Sequence, residues 1–217
     1  MRKFMLVSIA GVMGLVATAQ SGQPIAGKTR FGITAGVNWN NINGKTAAGA
    51  DLDNKLKTGF NGGINAEIPI SSGLYLQPGL EYRRKGSELS NGNELTLSYI
   101  DIPVNLIYKP MLGTGKVLLG FGPYVGFGIN GKVKSANGTE RDIKFTNTYS
   151  VSEAEDIQFK KLDAGANFIA GYEFPCNFSL AFKAQLGLVN INPDTNLPND
   201  QTRNRNTGFG LSLGYRL

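Results

Sequence analysis

The sequence predicts an all-β fold: an eight-stranded antiparallel, up-and-down transmembrane β-barrel preceded by a cleaved signal peptide. Three observations point there. The last ten residues place Phe209, Leu211, Leu213, Tyr215 and Leu217 on one strand face and only glycine, serine and arginine on the other, a contrast that separates an apolar medium from a polar one. A sandwich strand would need bulk on its packed face, whereas lipid fills the outside of a barrel and the lumen must stay uncrowded. The same period of two recurs along the whole chain. Finally, mean hydropathy is only −0.15 and no long apolar segment follows the N-terminal one, as expected when membrane is crossed by alternating strands.

At the N-terminus, Arg2 and Lys3 precede an apolar run over residues 4–16 that is short for a bilayer span, and Ala17, Thr18 and Ala19 form a small-residue cleavage site. Residues 1–19 therefore read as a secretory signal peptide and residues 20–217 as one barrel domain. The chain carries 22 Lys+Arg against 16 Asp+Glu. Without Arg2 and Lys3 the balance is about +4, too mild for a nucleic-acid footprint. Cys176, the single cysteine, excludes an intrachain disulfide and reads as a turn residue.

The first strand, residues 30–39, sets Phe31, Ile33, Ala35, Val37 and Trp39 against Gly32, Thr34, Gly36 and Asn38. The second, 58–68, sets Phe60, Ile64, Ala66 and Ile68 against Asn61, Gly63, Asn65 and Glu67. The third, 73–84, sets Leu74, Leu76, Leu80 and Tyr82 against Gln77, Gly79, Glu81 and Arg83. In the fourth, 94–108, Ile100, Ile102, Val104, Leu106 and Tyr108 oppose Asp101, Pro103 and Asn105. In the fifth, 116–130, Val117, Leu119, Phe121, Val125, Phe127 and Ile129 oppose Gly120, Gly122, Gly126 and Gly128. The sixth, 159–174, turns Asp163, Gly165, Asn167 and Glu173 away from its apolar face, and the seventh, 178–190, does the same with Lys183, Gln185 and Gly187. The C-terminal strand makes the count even, as closure of a bacterial barrel requires.

Connections alternate strictly in length. Residues 69–72, 109–115 and 174–177 are short, while 40–57, 85–93, 131–158 and 191–206 are long. Short turns face the periplasm in such barrels and long loops face outside, which puts both termini in the periplasm. On that orientation Trp39, Phe60, Tyr82, Tyr99, Phe127 and Phe209 form an outer aromatic girdle, and Phe31, Tyr108, Tyr172, Phe178 and Tyr215 an inner one.

The C-terminal strand resembles the signal by which outer-membrane barrels are handed to their assembly machinery. More broadly, residues 32–39, the run Tyr99-Ile100-Asp101-Ile102-Pro103-Val104, the run Gly122-Pro123-Tyr124-Val125-Gly126, Asp163-Ala164-Gly165, residues 187–191 and the last strand resemble, in this order, the PorT-like, OmpX-sized outer-membrane β-barrel proteins. The resemblance implies an outer-membrane barrel of eight strands, in a group of which some members are linked to protein export or surface attachment. It implies no catalytic, cofactor or metal site.

An eight-stranded barrel is just wide enough to be filled by its own side chains. Inward Glu67, Glu81, Asp101, Asp163 and Glu173 therefore need partners, and Arg30, Arg83, Lys183 and Arg216 are the inward bases. A lumenal ion-pair network is the structural reading, because an unpaired buried charge costs several kcal/mol. A proton or solute path through the same residues is the alternative. The chain has no histidine, which removes the commonest general base, and no enzyme is expected. Glu153, Glu155 and Asp156 lie in a polar loop without an EF-hand pattern and read as a solvated acidic run.

Lys55, Lys57, Arg83, Arg84, Lys85, Lys132, Lys134, Lys160, Lys161, Arg203 and Arg205 all fall in outer loops or at their bases on this topology. They read either as loop charges in water or as a cationic collar for anionic glycolipid, with Arg83, Arg84 and Lys85 as its centre. Two function classes result: an interaction or structural barrel that meets glycolipid or an envelope protein partner, and a small channel or transport protein.

Overall fold

The computed structural model describes residues 27–46, 49–147, 157–193 and 201–217. The signal-peptide reading of residues 1–19 and the acidic run Glu153, Glu155 and Asp156 lie outside them.

Alternation builds a closed ring. The strands are β1 (Arg30–Lys45), β2 (Lys55–Ser71), β3 (Leu74–Glu88), β4 (Glu94–Tyr108), β5 (Met111–Leu112), β6 (Gly115–Lys134), β7 (Glu140–Phe145), β8 (Ile157–Phe159), β9 (Leu162–Glu173), β10 (Phe178–Gly187) and β11 (Arg203–Arg216). Eight of them close the wall in the order β1-β2-β3-β4-β6-β9-β10-β11, each antiparallel to its neighbours, and β11 returns to β1 in a continuous register from Gly32↔Arg216 to Lys45↔Arg203. Closure leaves no exposed strand edge within the membrane, which matters where no water can satisfy backbone groups. β5 only tightens the turn before β6. β7 folds back on the C-terminal end of β6, away from the short turns, and β8 pairs with β7 in parallel.

Tight turns join the strands at the other end. Gly73, between β2 and β3, has φ of 73°, which only glycine adopts without steric cost. Asn177 takes the same left-handed conformation, φ 66°, in the turn that also holds the exposed Cys176.

The outer wall carries an apolar belt. On β1 it runs from Phe31 to Trp39, on β3 from Leu74 to Tyr82, on β4 from Ile100 to Tyr108 and from Phe209 on β11 to Leu217 just after it, close to the roughly 9–11 residues a tilted spanning strand needs. Phe31, Ile64, Phe121 and Leu213 are among its most exposed side chains. Aromatic pairs mark both rims: Trp39–Phe209 and Phe60–Tyr82, with ring centroids 5.7 and 5.6 Å apart, at one end, and Phe178–Tyr215, 4.9 Å apart, at the other.

Two expectations need correction. Tyr99 is not a girdle residue but is fully buried inside the barrel. It shares the inward parity of Asp101 on β4. The long connections are also shorter than expected, since β1, β2, β3, β6 and β11 all continue past the belt. Past the belt the inner faces of β1, β4 and β6 bury an apolar cluster: Ile42, Leu95, Leu97, Tyr99 and Val133 pack against Ile143 of β7, Phe159 of β8 and Ile191.

A bulge in β6 keeps this arrangement in phase. Ser98 faces Asn130 while Tyr99 faces Gly128, so Ile129 is an extra residue and the inward positions change from Gly126 and Gly128 to Gly131 and Val133. As a result Lys132 and Lys134 point outward.

Candidate functional site

Strand parity brings the charged residues of seven strands into the lumen, where they sort into two clusters separated by an apolar layer. Near the short turns, Glu67 of β2 is paired with Lys109, just beyond β4, and with Arg216 of β11 at 2.8 Å. Gln77 of β3 donates a hydrogen bond to the same carboxylate at 3.2 Å. Lys109 also holds Glu173 of β9, which Arg30 of β1 approaches at 3.6 Å. Arg30 in turn donates to Asn177 at 2.9 Å, tying the turn to the first strand.

Above this cluster lie Ile107, Leu118, Ile169 and Ala181, with Tyr75 packed on them. The cavity that remains beside them, lined in part by Thr34, Gln77, Leu118, Ser179 and Lys183, is about 30 Å³, room for about one water.

The second cluster is denser. Glu81 is paired with Arg83 on its own strand and with Lys183 of β10 at 3.0 Å. The Lys85 ammonium bridges Asp101 of β4 at 3.0 Å and Asp163 of β9 at 2.9 Å. It also sits over the rings of Tyr99 and Tyr124, 4.7 and 4.6 Å from their centroids, where the ring faces favour a desolvated cation. Gln185 donates to Asp101 at 3.1 Å, and Asn206 and the Tyr124 hydroxyl donate to Asp163 at 3.0 and 3.3 Å. Glycines make the space: a Cβ on Gly126 would lie 2.4 Å from the Asp101 carboxylate, and one on Gly165 would lie 2.8 Å from the Tyr124 ring.

The nine residues expected in the lumenal network, Arg30, Glu67, Glu81, Arg83, Asp101, Asp163, Glu173, Lys183 and Arg216, thus all carry ion pairs, in two groups. Lys85 and Lys109 belong with them but were placed in connections. The signal was available, since Lys85 extends the parity of Glu81 and Arg83 by one step and Lys109 extends that of Asn105 and Ile107.

The same parity overturns the expected collar centre of Arg83, Arg84 and Lys85. Successive strand residues point to opposite faces, so Arg83 and Lys85 are buried in the lumen and Arg84 alone reaches the outer surface. Of the other collar bases, Lys57 is paired with Glu94, and Lys132 with Glu140 at 3.2 Å. Lys55, Lys134, Lys161, Arg203 and Arg205 are exposed.

The lumen is therefore occupied in layers: ion cluster, apolar layer, ion cluster and an apolar plug. At the plug, Phe145 lies edge-on to Tyr99, ring centroids 6.2 Å apart, against Gly128, where a Cβ would come within 2.4 Å of the Phe145 ring. Such a lumen holds the strands together through its own side chains.

Residues 18–192 match the outer membrane protein beta-barrel domain. Among solved structures, the chain is similar to Ail, the attachment invasion locus protein of Yersinia pestis, with 16% identity over 88% of this chain and 100% of that one and a TM-score of 0.43, in a structure that holds the heparin analogue sucrose octasulfate. It is also similar to Neisserial surface protein A (13% identity, 88% and 100% covered, TM-score 0.49) and to outer membrane protein AlkL in DMPC bilayers (14% identity, 91% and 95% covered, TM-score 0.32). No curated protein matches the sequence. With the matched domain spanning most of the chain and the barrel closed as that domain requires, the chain belongs to the outer membrane protein beta-barrel domain family.

Proposed function

We propose that this outer-membrane barrel is a closed, non-enzymatic interaction protein that works through the surface it presents above the membrane. The observation that carries the reading is the filled lumen: two ion-pair clusters, an apolar layer and an apolar plug follow one another along the axis. Conduction would need these layers to separate, at a cost of several kcal/mol per broken buried pair. A small channel is accordingly the weaker reading. The absence of histidine from the chain and the engagement of lumenal carboxylates by cations support a non-catalytic role.

On this reading residues 1–19 are removed as a leader, both termini lie in the periplasm, and the barrel-assembly machinery inserts the mature domain of residues 20–217. The PorT-like pattern of its strands supports a link to protein export or surface attachment through an envelope protein partner, alongside contact with anionic glycolipid of the outer leaflet.

Orientation is tested in intact cells with a membrane-impermeant maleimide. Native Cys176, in a short turn, should stay unlabelled, whereas Asn137→Cys in a Cys176→Ser background should label. The reverse pattern refutes the presentation of the long loops to the exterior.

A further inference from the structure

The register between β1 and β11 runs without a break to Lys45↔Arg203, so strand parity carries past the aromatic pair Trp39–Phe209 at the rim. Asn41 stands opposite Thr207, Asn43 opposite Arg205 and Lys45 opposite Arg203, all on the outward face. Arg205 and Arg203 lie four and six residues beyond Phe209, about 13 and 20 Å along the strand at ~3.3 Å per residue. Strand tilt lowers those heights by about a quarter, which leaves both arginines above a headgroup layer of roughly 5–8 Å.

Beyond Lys45 the chain turns back tightly. The Gly49 amide donates to the Thr46 carbonyl at 2.9 Å, and φ at Gly49 is 85°, a conformation that favours glycine. The turn brings Asp51 beside Lys45, on the side away from Arg203. It also seats Gln201, since a Cβ on Gly49 would lie 2.8 Å from the Gln201 Oε1. Together Asn43, Lys45, Asp51, Gln201, Arg203 and Arg205 line a cavity of about 560 Å³, within the size range of small-ligand pockets.

The charges of this cavity are not paired with one another. Elsewhere on the wall Lys57 is held by Glu94 and Lys132 by Glu140. Among the described residues the side chains of Lys45, Arg203 and Arg205 have no ion-pair or hydrogen-bond partner, and neither has that of Asp51, although Asp51 is the cross-strand neighbour of Lys45. Asn43 is committed instead: it donates to the Thr207 hydroxyl at 2.8 Å and accepts from Asn41 at 2.9 Å.

Three cationic donors, a side-chain amide and a carboxylate facing one space suit a ligand that offers anionic oxygens and hydroxyl groups together. A bare anion would be opposed by Asp51, and a neutral polyol would leave the three bases without a counter-charge. We infer that the outward ends of β1 and β11 bind an acidic saccharide, with Lys45, Arg203 and Arg205 taking its acid oxygens and Asp51 and Gln201 its hydroxyls. The inference rests on the reading of a protein that works through the surface above the membrane. It places the anionic contact on the β1–β11 wall, away from Arg83 and Lys85, which face the lumen.

The test titrates the full-length mature barrel, in phosphatidylcholine nanodiscs, with tetragalacturonate by isothermal calorimetry. Maltotetraose, which has the hydroxyls without the acids, and inorganic pyrophosphate, which has the charge without the hydroxyls, serve as comparisons. Tetragalacturonate should bind at least about tenfold tighter than either, and Arg203→Gln and Arg205→Gln should each weaken it about tenfold, as expected for a charge-assisted hydrogen bond. Arg84→Gln, on β3 opposite Ser98, should leave it unchanged. Asp51→Asn should tighten pyrophosphate and weaken tetragalacturonate, opposite changes that no folding defect can imitate. If the arginine variants do not fold, Asp51→Asn decides. No binding of tetragalacturonate to the parent overturns the site, as does unchanged affinity in folded Arg203→Gln and Arg205→Gln. Pyrophosphate bound as tightly as tetragalacturonate, or both ligands moving together in Asp51→Asn, overturns the saccharide assignment. Acidic sugars are carried both by outer-leaflet glycolipid and by free polysaccharide; nanodiscs containing lipopolysaccharide should compete with tetragalacturonate if the glycolipid reaches the site, and leave its affinity unchanged if the ligand arrives from solution. Binding in nanodiscs does not depend on which end faces the cell exterior, so this result and the Cys176 labelling result can fail separately.

Discussion

Replacing Lys85 by methionine keeps the volume of a fully enclosed side chain and deletes only its charge. Among the described residues Lys85 is the one cation within ion-pair distance of Asp163, whereas Asp101 keeps Arg83 at 3.7 Å and Gln185 at 3.1 Å. Asp163 would be left fully buried with hydrogen bonds from Asn206 and Tyr124 and no counter-charge. Breaking a buried pair in this way costs about 3–5 kcal/mol, and loss of the two ring contacts adds roughly 1 kcal/mol. Lys85→Met should therefore destabilise the barrel by about 4–6 kcal/mol. The double variant Lys85→Met, Asp163→Asn removes both charges and should recover half or more of that loss. Arg84→Met, one residue away on the outside, should change stability by less than about 1 kcal/mol. Urea titrations in detergent, followed by the fluorescence of the single tryptophan, Trp39, measure all three. Lys85→Met as stable as the parent, or a double variant no better than the single one, would refute the placement of Lys85 between the two carboxylates.

Two further tests address the belt and the plug. Val104→Arg, on the lipid-facing side of β4, should impair insertion or stability by about 2–4 kcal/mol, while Asn137→Arg in the exposed β6–β7 connection should be nearly silent, as compared by heat-modifiable gel migration. Gly128→Val should expel the Phe145 ring from its seat, at about 1–3 kcal/mol of overpacking. It should speed proteolysis within residues 131–158 while the barrel still migrates as folded; unchanged cleavage would show that the plug does not depend on that contact.

Strand number, strand order and the belt were legible because lipid and lumen impose opposite demands on alternate residues, and Phe209 to Leu217 display that contrast without interruption. The nine lumenal charges were legible for the same reason. What failed was the assumption that a strand ends where its outward face becomes polar. Above the membrane the outward face of β3 meets water, so Arg84 looks like a loop residue, while Lys85 still points into a packed interior. Tyr99 was misread by the same step, its ring assigned to an interface although its parity with Asp101 turns it inward. The plug was beyond reach, because Ile143, Phe159 and Ile191 arrive from segments without a long period and meet only in three dimensions. The phase change at Ile129 was equally hidden, since a bulge is fixed by the partner strand as much as by its own residues.

The central claim is that the lumen is sealed by its own side chains, and single-molecule current through the purified barrel in planar lipid bilayers tests it most directly. The account predicts no stable openings across a wide voltage range, because the ion clusters held by Lys85 and Lys109 and the plug over Tyr99 all lie in series. Long-lived, ion-selective current steps from the folded, unmodified protein would contradict it.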